Sequence, residues 1–292
     1  MLHVATAGLG YAFNQGSILL YGDDYGKHFG SGRLCDAAGA HNSQCFFMPA
    51  SNCSATVDAA AAPAVPQKAW DYRTQVPQKW RDRWEATNQT GDIVYWWRAQ
   101  AVAYLFRFNP QTAEALSARR LQIARQGVAP LPLPLNTVSV HVRHGDKVVE
   151  MTTFSWEEHL ARAQDVAEAR RLAERYMYVT TDDSAVALQA ELNGGHDLNC
   201  RSESATENPA FQDDHQFEDE MVLFSLQGLL LALEGTHFVG ARGSNWSRLI
   251  DELRMVYGRP EGSALAFVEL GCDPPQLDVN ATCDHFYPNW RR

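Results

Sequence analysis

The sequence predicts an α/β protein whose second half is a mainly parallel sheet. Three observations carry that expectation. From residue 137 onward, short β-branched runs alternate with helical patterns of about ten to twenty residues, as βαβ units require. Charged or glycine-rich turns follow three of those runs, which places them at the carboxyl edge where parallel sheets bind ligands. The composition, 45% hydrophobic and 21% charged over 292 residues, is that of a globular chain with ample material for a core.

The N-terminal stretch MLHVATAGLGYAFNQGSILLYGDD reads as a helix running into the strand SILLYG, as though a fold began before residue 1. It has no basic n-region, and Gly, Asn and Gln interrupt its apolar run, so it is not a signal peptide. DAAAAPAVPQ (58–67) is a linker or surface loop. GDIVYWWRAQAVAYLFRFNPQ (91–111) has the apolar spacing of a buried helix ending near Pro110. Three alternating prolines in GVAPLPLPLN (127–136) forbid helix and deliver an extended segment into the strand TVSVHV (137–142).

SWEEHLARAQDVAEARRLAER (155–175) opens with Ser155 and Glu158 at capping-box spacing. The strand YMYVTT (176–181) comes next, then Asp182-Asp183 and the helix SAVALQAELN (184–193), stopped by Gly194-Gly195. EDEMVLFSLQGLLLALEG (218–235) is a largely buried helix, THFVG (236–240) a strand, and ARGSN a turn into the helix WSRLIDELRMVYG. The expected domains are a partial N-terminal α/β domain over 1–126, a nucleotide-binding domain over 137–270, and a tail over 271–292.

Net charge is −10 and the pI about 5.4, which disfavours nucleic acid and anionic membrane as partners. No apolar run approaches the length of a membrane span, so a membrane anchor would have to lie outside this chain. Six cysteines (35, 45, 53, 200, 272 and 283), none in a CxxC pair, suit disulfides in an oxidising compartment, with buried thiols as the alternative. Sequons at Asn52, Asn88, Asn245 and Asn280 point the same way.

The densest chemistry lies in HVRHGDKVVEM (141–151). Strand alternation puts His141 and Arg143 on one face and His144 on the other, which spoils a histidine metal pair; no metal is expected. Arginine grips phosphate through two parallel hydrogen bonds, and Lys147 adds a point charge. The plainer alternative for Arg143 is an ion pair with Asp146. Gly243, Ser244 and Asn245 precede a helix whose first N–H groups and dipole attract anions, although Ser244 is equally an ordinary N-cap. Together these elements suggest a diphosphate site, and hence a sugar nucleotide whose diphosphate departs. The acceptor hydroxyl then needs a carboxylate to take its proton, and Glu150 is the candidate, against a solvated loop glutamate.

Four ordered blocks resemble the α-1,6-fucosyltransferase family. HVRHGDKVVE is similar to the family's H-V-R-R-T-D-K-V and following glutamate, GDIVYWW (91–97) to G-D-P-V-V-W-W, TTDD (180–183) to A-T-D-D, and GSNWSRLIDEL (243–253) to S-S-Q-V-C-R. The resemblance implies a GT-B-like fold with a Rossmann-like C-terminal domain, GDP-fucose as donor, and inverting, metal-independent transfer to an oligosaccharide or glycoprotein in the Golgi lumen. It implies that Arg143 holds the β-phosphate, that His141, His144 and Asp146 lie at the nucleotide, and that Gly243, Ser244 and Asn245 bind diphosphate or fucose. Asp182 and Asp183 would support the site, and Lys147 with Glu150 would form the proton-accepting pair. His144 stands where the family has a second arginine, and no aspartate matches the family's guanine reader near Ser225, Gln227 and Gly228. HVRHGD equally matches the H-x-R-R-G-D spacing of α-1,2- and O-fucosyltransferases. A relative that binds glycans without turnover is the non-enzymatic alternative.

Overall fold

In a computed structural model, the second half of the chain builds a five-stranded, wholly parallel sheet flanked by helices. The structure describes residues 2–21, 32–55, 63–65, 76–87, 93–127, 129–144, 153–173, 175–193, 199–204, 219–241, 243–257 and 267–270. Residues up to Glu114 group as one unit and those from Ala115 as a second, with Asp219 and Glu220 falling in the first.

In the first unit, α1 (Leu2–Asn14) packs on α4 (Ile93–Leu105) through Ala5, Leu9, Val94, Trp97, Ala101 and Leu105. Residues 17–21 of SILLYG pair with no strand among the described residues; Leu19 and Tyr21 pack instead against this helical core. The short α2 (Arg33–Ala38) is tied by the Cys35–Cys45 disulfide, both sulfurs fully buried. α3 (Gln78–Ala86) places Trp80 and Trp84 against Trp96 of α4.

α4 stops at Leu105, short of the predicted Pro110. Pro110 opens a further helix, α5 (Pro110–Gln126), in which proline occupies the first position, where a missing N–H costs nothing. Asn109 caps it, accepting from Thr112 N at 2.8 Å while its amide donates to Cys45 O at 2.7 Å.

The second unit runs β1 (Thr137–Val142), α6 (Trp156–Ala169), β2 (Tyr176–Thr181), α7 (Ser184–Asn193), β3 (Asn199–Ser204), α8 (Asp219–Ala232), β4 (His237–Gly240), α9 (Asn245–Tyr257) and β5 (Phe267–Glu269). The strand order is β3-β2-β1-β4-β5, the doubly wound order of Rossmann-like sheets. The chain winds outward from β1 in one direction, then returns to lay β4 on its other side. The order therefore reverses between β1 and β4.

Every residue of β1 is buried, as in parallel sheets covered on both faces. Val138, Val140 and Val142 meet Trp156, Ala163, Val166 and Ala167 of α6 in one apolar cluster. Thr137, Ser139 and His141 occupy the opposite face, toward the β4–α9 side. The T-V-S-V-H-V alternation thus marks an apolar and a polar face, both enclosed.

The predicted capping box is present: Glu158 N donates to Ser155 Oγ at 3.2 Å, and Ser155 N donates to Glu158 Oε2 at 2.7 Å. α6 ends at Ala169, earlier than its helical pattern suggests. Arg171 adopts a φ of 51°, with Leu172 N bonded to Ala167 O and Arg171 N to Glu168 O. That is a Schellman stop built without glycine, and Leu172 packs onto the sheet core behind it.

Candidate functional site

Register decides which side chains meet at the carboxyl edge. Val142 pairs with Thr181 across β1 and β2, so the next residues, Arg143-His144 and Asp182-Asp183, leave the sheet side by side. Two basic side chains face two carboxylates in step. The Arg143 guanidinium donates to Asp182 Oδ2, with the two side chains 16% and 10% exposed. Asp182 Oδ1 also accepts from His144 N at 3.0 Å. Asp182 is thus a partner of Arg143, whereas Asp146, Lys147 and Glu150 lie outside the described residues.

His144 bridges two elements. Its Nδ1 lies 2.8 Å from Asp183 Oδ2 and its Nε2 lies 2.8 Å from the Phe154 carbonyl. Burial, the largest single influence, opposes its charge, but the bonds to Phe154 and Asp183 and the two nearby aspartates raise its pKa above the ordinary value. Asp183 is also the N-cap of α7, accepting from Ala185 N at 2.8 Å. Burial works against its ionisation, but the bonds to His144, Ala185 and Val186 hold its pKa below the usual carboxylate value.

His141 lies on the other side of β1. It is 5% exposed, and its Nδ1 is 2.7 Å from Ser247 Oγ in the first turn of α9. Burial, then the charge of Arg143 and then His159, push its pKa down to about 3, so the ring is neutral. His159 of α6 is likewise held down to about 4, chiefly by burial, and its Nδ1 donates to Ser155 O at 2.8 Å.

α9 starts one turn beyond β4. His141 pairs with Gly240 across β1 and β4, which sets the helix start beside the Arg143 edge. A Cβ on Gly240 would lie 2.9 Å from Ser247 Oγ and 3.2 Å from its Cβ, so glycine permits the close approach of helix to strand. Ser244 is buried and caps the helix, accepting from Ser247 N at 3.3 Å. Asn245 is exposed, and its Oδ1 accepts from the Arg248 guanidinium. Gly243 stands half-buried before the cap. The N–H groups of Asn245 and Trp246 are those a helix cannot satisfy within itself.

The structure thus brings together Arg143, His144, Asp182 and Asp183 between β1 and β2, and His141, Gly243 and Ser244 between β1 and β4. The Ser247 and Phe154 partners were not predicted. Ser247 stands in the sequence only as the third sequon residue after Asn245, and strand register is needed to bring it under His141. Among the described residues, no group of three or more His, Cys, Asp or Glu side chains is placed to hold a metal ion. Among them, too, no helix is long and apolar enough to cross a membrane.

No protein-family model matches the chain, and no curated protein matches it. Among solved structures, the chain is similar to the crystal structure of NodZ α-1,6-fucosyltransferase soaked with GDP-fucose. That match has 14% identity, covers 94% of this chain and 92% of that one, and has a TM-score of 0.44. It is also similar to POFUT1 in complex with GDP (13% identity, 57% of this chain, 48% of that chain, TM-score 0.31). POFUT1 in complex with GDP-fucose matches at 14% identity over 57% of this chain and 47% of that chain, with a TM-score of 0.31. The chain accordingly spans about half the length of those POFUT1 chains.

Proposed function

We propose that the second unit binds a nucleoside diphosphate sugar across the carboxyl ends of β1 and β4, and that the chain transfers fucose from GDP-fucose to a glycan hydroxyl. One observation carries the binding half. An arginine oriented by a largely buried aspartate and the N-terminus of α9 flank the point where strand order reverses. Crevices at such points are where open α/β sheets hold nucleotides.

In this reading, Arg143 takes the β-phosphate and the N–H groups at Asn245 and Trp246 take neighbouring oxygens. Ser244 shapes that helix start as its cap, and Gly243 leaves room for backbone to approach the ligand. His141, neutral and braced by Ser247, forms the wall behind Arg143. The departing diphosphate is stabilised by these fixed donors, so divalent metal is not required. Asp146, Lys147 and Glu150 enter on the sequence blocks alone, with Lys147 and Glu150 receiving the acceptor's proton.

The sugar and linkage also rest on sequence. GDIVYWW and the Lys147/Glu150 pair favour α-1,6 transfer to GlcNAc of an N-glycan core or chito-oligosaccharide; HVRHGD alone fits α-1,2- or O-fucosyl transfer equally well. The Cys35–Cys45 disulfide suits a Golgi-lumenal setting. The test is incubation with GDP-fucose and a panel of N-glycan and chito-oligosaccharide acceptors, with and without chelator. Expected is transfer that survives chelation and falls at least about hundredfold in Arg143→Ala. Sugar binding with no GDP release would instead mark a silent glycan-binding protein, and an unimpaired variant would remove Arg143 from the site.

A further inference from the structure

Both partners of the His144 ring are acceptors: the Phe154 carbonyl cannot donate, and neither can an ionised Asp183. Satisfying both contacts requires a proton on each ring nitrogen, which is the imidazolium. A neutral ring would turn a lone pair toward one of these oxygens, and that contact would open. We propose that His144 is a positioning residue whose doubly protonated ring occupies Asp183, leaving Asp182 to aim Arg143 at the donor diphosphate. The proposal rests on the donor-site reading above and adds to it a dependence on the charge of one histidine.

Among the described residues, Arg143 and protonated His144 balance Asp182 and Asp183, so these four side chains add no net negative charge against an incoming diphosphate. Loss of the His144 proton leaves the cluster with one net negative charge. It also frees the Asp183 carboxylate to compete for the Arg143 guanidinium. Both effects weaken an anionic ligand. Among the described residues, the other titratable neighbour, His159 on α6, is held neutral by burial, so the change in charge there falls on His144. The pKa of His144 is raised, which moves that loss upward from the ordinary imidazole value.

The test combines two readouts on the intact chain. Imidazole nitrogen shifts report whether His144 carries two protons, and calorimetric titration gives GDP affinity from about pH 6 to about pH 9 for wild type, His144→Arg and His144→Gln. GDP's own ionisation is common to all three and cancels in the ratios. Expected are two protonated ring nitrogens near pH 6 and a wild-type affinity that falls about tenfold relative to His144→Arg as the ring deprotonates. His144→Gln should bind weakly at every pH. Parallel pH profiles for wild type and His144→Arg, or a neutral ring near pH 6, would overturn the positioning role while GDP binding stands. Absence of GDP binding in all three proteins would sink the donor-site reading itself, and this proposal with it.

Discussion

His141 Nδ1 lies 2.7 Å from Ser247 Oγ, joining the central strand to the first turn of the helix after β4. Both residues are buried, so neither has water as an alternative partner. Ser247→Ala should therefore cost about 1–3 kcal/mol, because it leaves a buried imidazole nitrogen unsatisfied. Denaturant titration of the variant measures it. A cost near zero would mean that the contact is not formed in solution.

Gly240→Ala tests the same junction from the strand side. The added methyl must displace Ser247 or the Phe238 ring, 2.9 Å and 3.2 Å away, and α9 begins at that point. The expected outcome is a loss of about 1–3 kcal/mol in stability together with weaker GDP binding. Stability lost without any change in GDP affinity would separate the α9 start from the site.

The Arg143–Asp182 pair should behave as one unit. Removing either partner strands a largely buried charge at a cost of about 3 kcal/mol, whereas removing both leaves none stranded. A double-mutant cycle with Arg143→Ala and Asp182→Ala should thus be strongly non-additive, the double variant being more stable than the sum of the singles. Additive losses would show that the two side chains do not interact.

Stability should pass through a maximum with pH. His141 and His159 have folded pKa values of about 3 and about 4, below their unfolded values, so the unfolded chain binds more protons in that interval. Stability then falls as pH drops below the ordinary imidazole range, by up to about 1.4 kcal/mol per pH unit for each histidine. His144, raised, acts in the opposite sense: its contribution is present below its unfolded pKa and is lost as pH rises through the folded value. Thermal melts across pH check both limbs, and His144→Gln should flatten the alkaline one.

Reduction of Cys35–Cys45 should destabilise the first unit by about 2–3 kcal/mol, since the bridge closes a short loop between residues 10 apart in sequence. Melting with and without reductant measures this, and Cys35→Ser should reproduce the reduced midpoint.

Much of the second unit was legible because its signals are local. The strands TVSVHV, YMYVTT and THFVG, the Ser155–Glu158 cap and the α9 pattern each depend on residues within one element. Arg143 stood out by chemistry alone. Its contact with Asp182 did not: Asp182 is 39 residues away, and only the Val142–Thr181 register makes the two neighbours. The same register sets the His144 ring between Asp183 and Phe154. At the α6 end, Arg171 takes a left-handed conformation without the glycine that announces one. Pro110 suits a helix end in the sequence pattern, but with Asn109 before it, it begins one. SILLYG looked like a strand because its apolar residues suit one, but in the first unit Leu19 and Tyr21 serve a helical core instead.

In the proposed donor site, one guanidinium clamps the diphosphate. Calorimetric titration of GDP into Asp182→Asn, and into the same protein carrying Arg143→Ala, tests it without an orphaned carboxylate near the ligand. The account predicts an affinity about a hundredfold weaker in the double variant, the equivalent of about 3 kcal/mol. Affinities within about twofold of each other would contradict it.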